Sequence, residues 1–381
     1  MSGEGRRRIE RSKSVDLSGF VGNFEFLGAN VGTSRSLNTS PFRIPTPSSS
    51  EDNTLRSILG LIKNRSLPKI SPKLSARNSH DSTSVDPTQV LFHEKVGAGG
   101  SADIFSGSVN GLGLAIKCYR QPISDDPLDD DLMHEISICK DLQHPRILRY
   151  IGFSIENQFS DRKLMMLMEL CRGTVHQLIR SSNAIDQLEI LRQVAEGLSY
   201  LHAQNVIHRD IKSENIFYSS RLNRETMKQE FDFKIGDFDV AVKCFNGNLE
   251  IEDVPNQGTL EFRAPEIIRA STSESVFYTD RVDIWAFGML IFELVAKDIP
   301  YRSEFGMELS AIERAIVSGT KPSVPKKWKK KQRIVQNLYD SCLSIDPITR
   351  PSSINILDLL LRKEKEEDSK TLDHTSSSHD H

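Results

Sequence analysis

His208-Arg209-Asp210-Ile211-Lys212-Ser213-Glu214-Asn215 is the most specific stretch of this chain. It is followed by Lys234-Ile235-Gly236-Asp237-Phe238-Asp239 and then by Gly258-Thr259-Leu260-Glu261-Phe262-Arg263-Ala264-Pro265-Glu266. Working outward from these blocks, the sequence changes texture. Upstream, Val90, Phe92 and Val96, then Ile104, then Leu114 to Cys118 read as strands separated by Gly and Asn, with further strands at Ile147 to Phe153 and Leu164 to Leu170. Between them, Leu132 to Leu142 reads as a helix, opened by the cluster Asp125, Asp126, Asp129, Asp130 and Asp131, whose charge suits a helix N-terminus. Beyond Gly173 the patterns are mostly helical, clearest over Ile185 to Leu201, Asp280 to Ala296 and Gln332 to Cys342. Strands followed by helices predict an α+β fold of two lobes with a cleft between them.

Two elements of the strand-rich part bear on what the cleft binds. Gly97-Ala98-Gly99-Gly100-Ser101-Ala102-Asp103-Ile104 is a glycine-rich turn between two strand patterns, not between a strand and a helix, which disfavours a dinucleotide-binding unit. A tight glycine hairpin needs no ligand, but small residues there let backbone amides approach phosphates closely. Leu114-Ala115-Ile116-Lys117 then ends an apolar strand on a lysine, 18 positions beyond Gly99. Such a lysine is ordinarily just solvated; here Glu135 on the next helix could hold its ammonium, making an ion pair aimed at phosphate oxygens.

The 381 residues carry 49 Lys plus Arg against 52 Asp plus Glu, a net charge of −3, which argues against a dedicated nucleic-acid binder. That balance hides a split: residues 1–90 hold 13 basic and 8 acidic residues, leaving −8 for the remainder. Residues 1–88 contain 17 Ser, 6 Thr and 6 Pro with little sustained apolar periodicity, so they cannot offset their ordering entropy and read as a disordered tail. Within it Leu55, Ile58, Leu59, Leu61 and Ile62 precede Lys63, Arg65, Lys69 and Lys73, either a basic amphipathic dock for a partner or membrane surface or a short helix that frays alone. Ser40-Pro41, Thr46-Pro47, Ser71-Pro72 and Arg11-Ser12-Lys13-Ser14 are candidate phosphorylation sites that would create partner epitopes.

Five cysteines without a CxxC pair point to free thiols in a reducing compartment. The apolar stretch Asp283 to Ala296 contains Glu293 and falls short of the ~20 residues of a membrane span. A cytoplasmic protein is expected, with no transmembrane segment. Nuclear entry stays open through Lys326-Lys327-Trp328-Lys329-Lys330-Lys331-Gln332-Arg333, although that run also reads as a solvated helix start. The last residues, 363–381, read as a charged disordered tail whose histidines lack supporting metal ligands.

Taken in order, these motifs resemble those of the eukaryotic protein kinases, from about Leu91 to Leu361. The resemblance implies a bilobal protein-kinase fold over 89–362, with a β-rich N-lobe at 89–168 and an α-helical C-lobe at 172–362. It implies that Gly97, Ala98, Gly99, Gly100 and Ser101 cover the phosphates of ATP, with Val96, Ile104 and Ala115 beside the nucleotide. By the same resemblance Lys117 contacts phosphates and is oriented by Glu135; Asp210 accepts or orients the substrate hydroxyl proton; Lys212 stabilises the transferring phosphate; Asn215 and Asp237 ligate magnesium, with manganese as an alternative. Met168 falls at the gatekeeper position, and the backbone of Glu169 and Cys171 would meet the adenine edge. Asp283 resembles the aspartate that anchors the catalytic loop, and Glu266 the partner of Arg350. Lys212 with Gly258-Thr259 is similar to serine/threonine kinases, and Met168-Glu169-Leu170-Cys171 with Arg350-Pro351-Ser352 to the tyrosine-kinase-like group, which includes Raf-like kinases. The expected partners are protein substrates and docking or phospho-dependent partners of the N-terminal tail. A nucleotide-binding scaffold without catalysis is the alternative.

The chain departs from the family pattern at four places. Asp239 stands where the family has the glycine of Asp-Phe-Gly, which predicts a slower swing of Phe238, an altered metal preference, or simply a tolerated variant. Ala102 replaces the third loop glycine, a conservative change. Thr259 is the only hydroxyl residue from Val240 to Arg263, so no ordinary activation-loop phosphoacceptor is present; Glu250, Glu252 and Asp253 are expected either to replace a phosphate opposite Arg209 or to form a solvated acidic loop. Residues 219–232 read as an exposed insertion.

Overall fold

The computed structural model describes residues 84–121, 130–158, 161–181, 186–244, 250–253, 257–270, 276–325 and 333–363. The Ser-rich tail with its amphipathic stretch and phosphorylation sites, Asp125, Asp126 and Asp129, the basic run 326–332 and the C-terminal tail lie outside these residues.

Five antiparallel strands build the first lobe: β1 (Val90–Ala98), β2 (Ala102–Val109), β3 (Leu112–Tyr119), β4 (Tyr150–Gln158) and β5 (Asp161–Glu169), in the spatial order β1-β2-β3-β5-β4. The central strands β3 and β5 are apolar on both faces and are covered on both. Leu114, Ile116, Met165 and Leu167 pack with Val90 on one side; Ala115, Met166 and Met168 pack with Ile136 and Phe153 on the other. Ile136 belongs to helix α1 (Asp130–Cys139), which starts two residues before the expected Leu132 and ends before Leu142. Ala102 places its methyl in this second cluster, so the alanine at the third loop position contributes to the core.

Pairing begins at Ser84 and Val85, ahead of the expected boundary at 89, because the Val85 N–H donates to the Phe153 carbonyl at 2.8 Å. Ile147 and Leu148, expected within a strand from Ile147 to Phe153, do not join the five-stranded sheet. Ile147 bridges to Ile235, with Leu148 N–H to Ile235 carbonyl at 2.7 Å and Ile235 N–H to Arg146 carbonyl at 2.8 Å. These apolar residues instead tie the first lobe to the second.

The second lobe contains β6 (Gly173–Thr174), α2 (Val175–Ser181), α3 (Gln187–Ala203), β7 (Val206–Ile207), β8 (Ile216–Leu222), β9 (Gln229–Ile235), β10 (Val242–Lys243), β11 (Glu250–Asp253), α4 (Pro265–Arg269), β12 (Val276–Thr279), α5 (Arg281–Ala296), α6 (Arg302–Phe305), α7 (Leu309–Ser318), α8 (Arg333–Cys342) and a last helix over 353–363. Helix α3 is capped by Asp186, whose side chain accepts the Leu188 N–H, the usual satisfaction of an orphan donor in the first turn. Helix α5 is buried from Val282 to Leu294 and, apart from Asp283 and Glu293, apolar on every side, as expected of a helix surrounded by others. The 219–232 segment is an ordered ladder: β8 pairs with β9 from Ile216 opposite Ile235 out to Leu222 opposite Gln229. Its outer end is exposed, but Asp232 reaches back to Arg146 at 3.2 Å.

Arg350 illustrates how this lobe is fixed. Its guanidinium, buried under Trp285 at 5.1 Å, donates twice to Glu266 at 2.7 and 2.8 Å and also to the carbonyls of Arg281 and Ser344. The pair joins α4 to the segment after α8.

Candidate active site

Strand alternation puts Ala115, Lys117 and Tyr119 on one face of β3. Helix α1 presents Glu135 to that face, and the Lys117 ammonium lies 2.8 Å from Glu135 Oε2, with the residues 5% and 2% exposed. The same ammonium is 2.9 Å from Asp237 Oδ1 and 2.6 Å from Asp239 Oδ1. Burial opposes the charge on Lys117, yet Glu135 and Asp237 outweigh it and hold the lysine protonated well above its ordinary value. Burial lifts the Glu135 carboxyl, against the pull of Lys117. Glu135 also accepts from the Tyr119 hydroxyl and from the Phe238 N–H at 3.2 Å, so one carboxylate orients both the lysine and the Asp-Phe-Asp segment.

The catalytic loop follows β7. Asp283, wholly buried on α5, accepts the N–H groups of His208 at 2.9 Å and Arg209 at 2.8 Å and contacts His202 at 2.9 Å. Burial alone would raise its pKa, but these partners overcome it and hold it below the ordinary carboxylate value. With Arg209 at φ 69°, the loop turns so that Asp210 meets Lys212 at 2.7 Å and Asn215 Nδ2 at 2.9 Å. The Thr259 N–H also donates to Asp210 at 2.9 Å, and the Thr259 hydroxyl accepts from Lys212 at 2.6 Å. Gly258 makes that approach possible: at φ 78° it lies against the Arg209 carbonyl, where any Cβ would collide. Burial raises the Asp210 pKa, but Lys212 and Thr259 more than compensate and keep it ionised, fit to accept a proton or a hydroxyl hydrogen bond.

These groups border one cleft of about 760 Å³, within the ordinary range for a small-molecule site. Val96, Gly97, Ala98, Gly99, Gly100, Ser101, Ile104, Ala115, Lys117, Met168, Glu169 and Cys171 all line it, as do Glu135, Lys212, Asn215 and Asp237. Asp210 does not itself line the cleft but is bonded to Lys212 and Asn215, which do. The glycine-rich turn is held from behind by Arg120, which donates to the carbonyls of Gly99 at 3.0 Å and Gly100 at 2.8 Å. The Glu169 N–H donates to the Arg149 carbonyl at 3.0 Å, so that N–H is already engaged within the protein. Its side chain takes Lys234 at 2.9 Å. Burial pushes the Cys171 thiol up to about 12.

The donor set suits a hard divalent cation. Asn215 spends its amide nitrogen on Asp210, and among the described residues no donor reaches its amide oxygen. Carboxylate oxygens of Asp237, Asp239 and Glu135 lie within 4.8 Å of one another. An amide and a carboxylate oxygen are the ligands magnesium takes.

Several residues of the site were not picked out from sequence. Leu148 and Phe217 also line the cleft. Tyr119 could have been found from the same strand alternation that gives Lys117. Arg209 donates to the Val240 carbonyl and, at 2.8 Å, to the Tyr278 hydroxyl. Tyr278 stands on β12, which pairs with β11 so that Ile251 lies opposite Tyr278. The side chains of Glu250, Glu252 and Asp253, expected as phosphate substitutes, lie outside the described residues. Asp239 is not among the residues with positive φ, whereas Asp237 is, at 65°. In this conformation position 239 needs no left-handed backbone, and its side chain contacts Lys117 and Ser101.

The model of the protein kinase domain matches residues 91–360. The chain is similar to serine/threonine-protein kinase STY17 of Arabidopsis thaliana, 25% identical over 286 residues, covering 74% of this chain and 45% of that protein. It is also similar to the RAF proto-oncogene serine/threonine-protein kinase of Xenopus laevis, 28% identical over 242 residues, covering 60% of this chain and 34% of that one. A probable serine/threonine-protein kinase of Dictyostelium discoideum is 26% identical over 283 residues, covering 73% and 16%. The chain thus spans less than half the length of these relatives.

Proposed function

This chain belongs to the protein kinase domain family, and from that premise we propose that it transfers the γ-phosphate of ATP to serine or threonine hydroxyls of other proteins. The observation that carries the reading is that Lys117, Glu135, Lys212, Asn215 and Asp237 line one cleft, from elements up to 120 positions apart in the chain, with Asp210 bonded to Lys212 and Asn215 beside it. The similarity to STY17 and RAF kinases supports placement in the tyrosine-kinase-like group, with a role in intracellular signalling.

Phosphoryl transfer needs little covalent help from a protein; it needs charge neutralisation and in-line placement. The glycine-rich turn would cover the nucleotide, and Lys117, held by Glu135, would receive its phosphates. Asp210, kept ionised by Lys212 and Thr259, would accept the hydrogen of the substrate hydroxyl and aim its oxygen. Lys212, between Asp210 and Thr259, stands ready to share charge with the moving phosphate. Asn215 and Asp237 would hold the divalent cation, magnesium first and manganese second, which supplies the remaining neutralisation.

Activation is proposed to need no phosphate on the loop. Arg209 is already engaged by Tyr278 and Val240, and β11 is fixed by pairing with β12. The five described thiols are unpaired, which supports residence in the reducing cytoplasm. A second reading, a nucleotide-binding scaffold without transfer, draws on the Asp239 contact with Lys117. The test is phosphoamino-acid analysis of a peptide library incubated with purified protein, ATP and magnesium. Phosphoserine or phosphothreonine is expected; ATP binding without any transfer would favour the scaffold.

A further inference from the structure

A lysine ammonium has three hydrogens to donate. On Lys117 all three are matched within the protein: Glu135 at 2.8 Å, Asp237 at 2.9 Å and Asp239 at 2.6 Å. A phosphate oxygen that is to reach this ammonium must displace one of them. Glu135 is the least movable, buried and held by Tyr119 and Phe238 as well. Asp237 and Asp239 are more open, with side chains 37% and 34% exposed. Asp239 differs in what its second oxygen does: Oδ2 accepts from Ser101 Oγ at 3.0 Å, which ties the glycine-rich turn down across the cleft. A glycine at this position could make neither contact.

We propose that Asp239 is a specificity-determining residue of the phosphate subsite. Its carboxylate takes the Lys117 donor that a phosphate oxygen would take and latches the turn through Ser101, so that nucleotide enters only together with a divalent cation. Three carboxylates face one ammonium, and a metal-free polyphosphate would add further negative charge at hydrogen-bond distance, where repulsion is strong. With a divalent cation held by Asn215 and Asp237, the added negative charge would be offset, so that a phosphate oxygen could displace Asp239 from Lys117 and, with it, from Ser101. The inference rests on the reading of this cleft as a nucleotide site.

The test is calorimetric titration of the full chain with ATP, once in EDTA and once in magnesium, for wild type, Asp239→Asn and Asp239→Gly. Thermal unfolding verifies that each variant is folded. Both variants should bind metal-free ATP at least about tenfold more tightly than wild type, with a change of less than about threefold in magnesium. Hydrogen exchange over residues 97–102 without nucleotide should be faster in Asp239→Gly, where no acceptor for Ser101 is left. Unchanged metal-free affinity would overturn the proposal. So would a loss confined to magnesium, which would make Asp239 a metal ligand, or a gain in the glycine variant alone, which would make the effect one of backbone freedom. Failure of wild type to bind ATP in magnesium as well as in EDTA would overturn the nucleotide reading itself and the proposal with it.

Discussion

Thr259 offers the sharpest test of how the catalytic loop is held, because one side chain separates a bond from a shape. Replacing it by valine keeps the branched outline and the backbone N–H that donates to Asp210 at 2.9 Å, but removes the hydroxyl that accepts from Lys212 at 2.6 Å. A hydrogen bond to a charged group contributes about 1.5–3 kcal/mol. If Lys212 is steadied by this bond during transfer, kcat/KM should fall by about 10- to 150-fold in Thr259→Val. Thr259→Ser, which restores the acceptor, should stay within about threefold of wild type. Initial rates on a serine peptide at saturating ATP, with ATP affinity measured separately, give the split between binding and turnover. Because Thr259 is the only hydroxyl residue in Val240–Arg263, phosphatase-treated wild type should keep its rate. Equal rates for Thr259→Val and wild type would refute the role given to the hydroxyl, and a phosphatase-sensitive loop would refute activation without phosphate.

Glu266→Ala should destabilise the domain by about 3–5 kcal/mol in urea unfolding, since it strands the buried Arg350 guanidinium; a loss under about 1 kcal/mol would contradict the burial argument. Glu293, buried and bonded to Ser213, has its carboxyl pushed up to about 7 by burial. Its folded pKa lies above the unfolded value, so its favourable contribution is complete below about pH 4.5 and lost as pH rises through about 7. The stability of wild type relative to Glu293→Gln should therefore fall by about 3 kcal/mol between pH 4.5 and 7.5, measured by urea unfolding at each pH. Cys171, lining the cleft with its thiol pushed up by burial to about 12, should react with iodoacetamide at pH 8 at least about a hundredfold more slowly than a free cysteine; mass spectrometry of the labelled peptide reads this directly.

What the sequence made legible was local chemistry with a fixed order. Strand alternation put Lys117 on a defined face, and the spacing to α1 made Glu135 its natural partner. The His208 to Asn215 block carried the loop. Less legible was anything decided by approach across the chain. Ile147 and Leu148 look like strand residues by composition, but Ile235 claims their backbone from the other lobe. The destination of the Asp239 carboxylate depends on Lys117, 122 positions away, and on Ser101, 138 away, contacts no local pattern encodes. Tyr278 as the partner of Arg209 follows from the pairing of β11 with β12, which places a tyrosine hydroxyl beside a guanidinium 69 positions earlier. The glycine missing from position 239 was visible; the two contacts its carboxylate makes, with Lys117 and Ser101, were not.

The central claim is that this cleft transfers phosphate with Asp210 as the group that receives the hydroxyl hydrogen. Transfer of radiolabelled γ-phosphate to a serine peptide, measured beside ATP affinity for wild type and Asp210→Asn, tests it most directly. The account predicts a fall in rate of at least about a hundredfold with ATP affinity unchanged within about threefold. An Asp210→Asn protein that transfers phosphate as fast as wild type, or a wild type that binds ATP and transfers none, would contradict it.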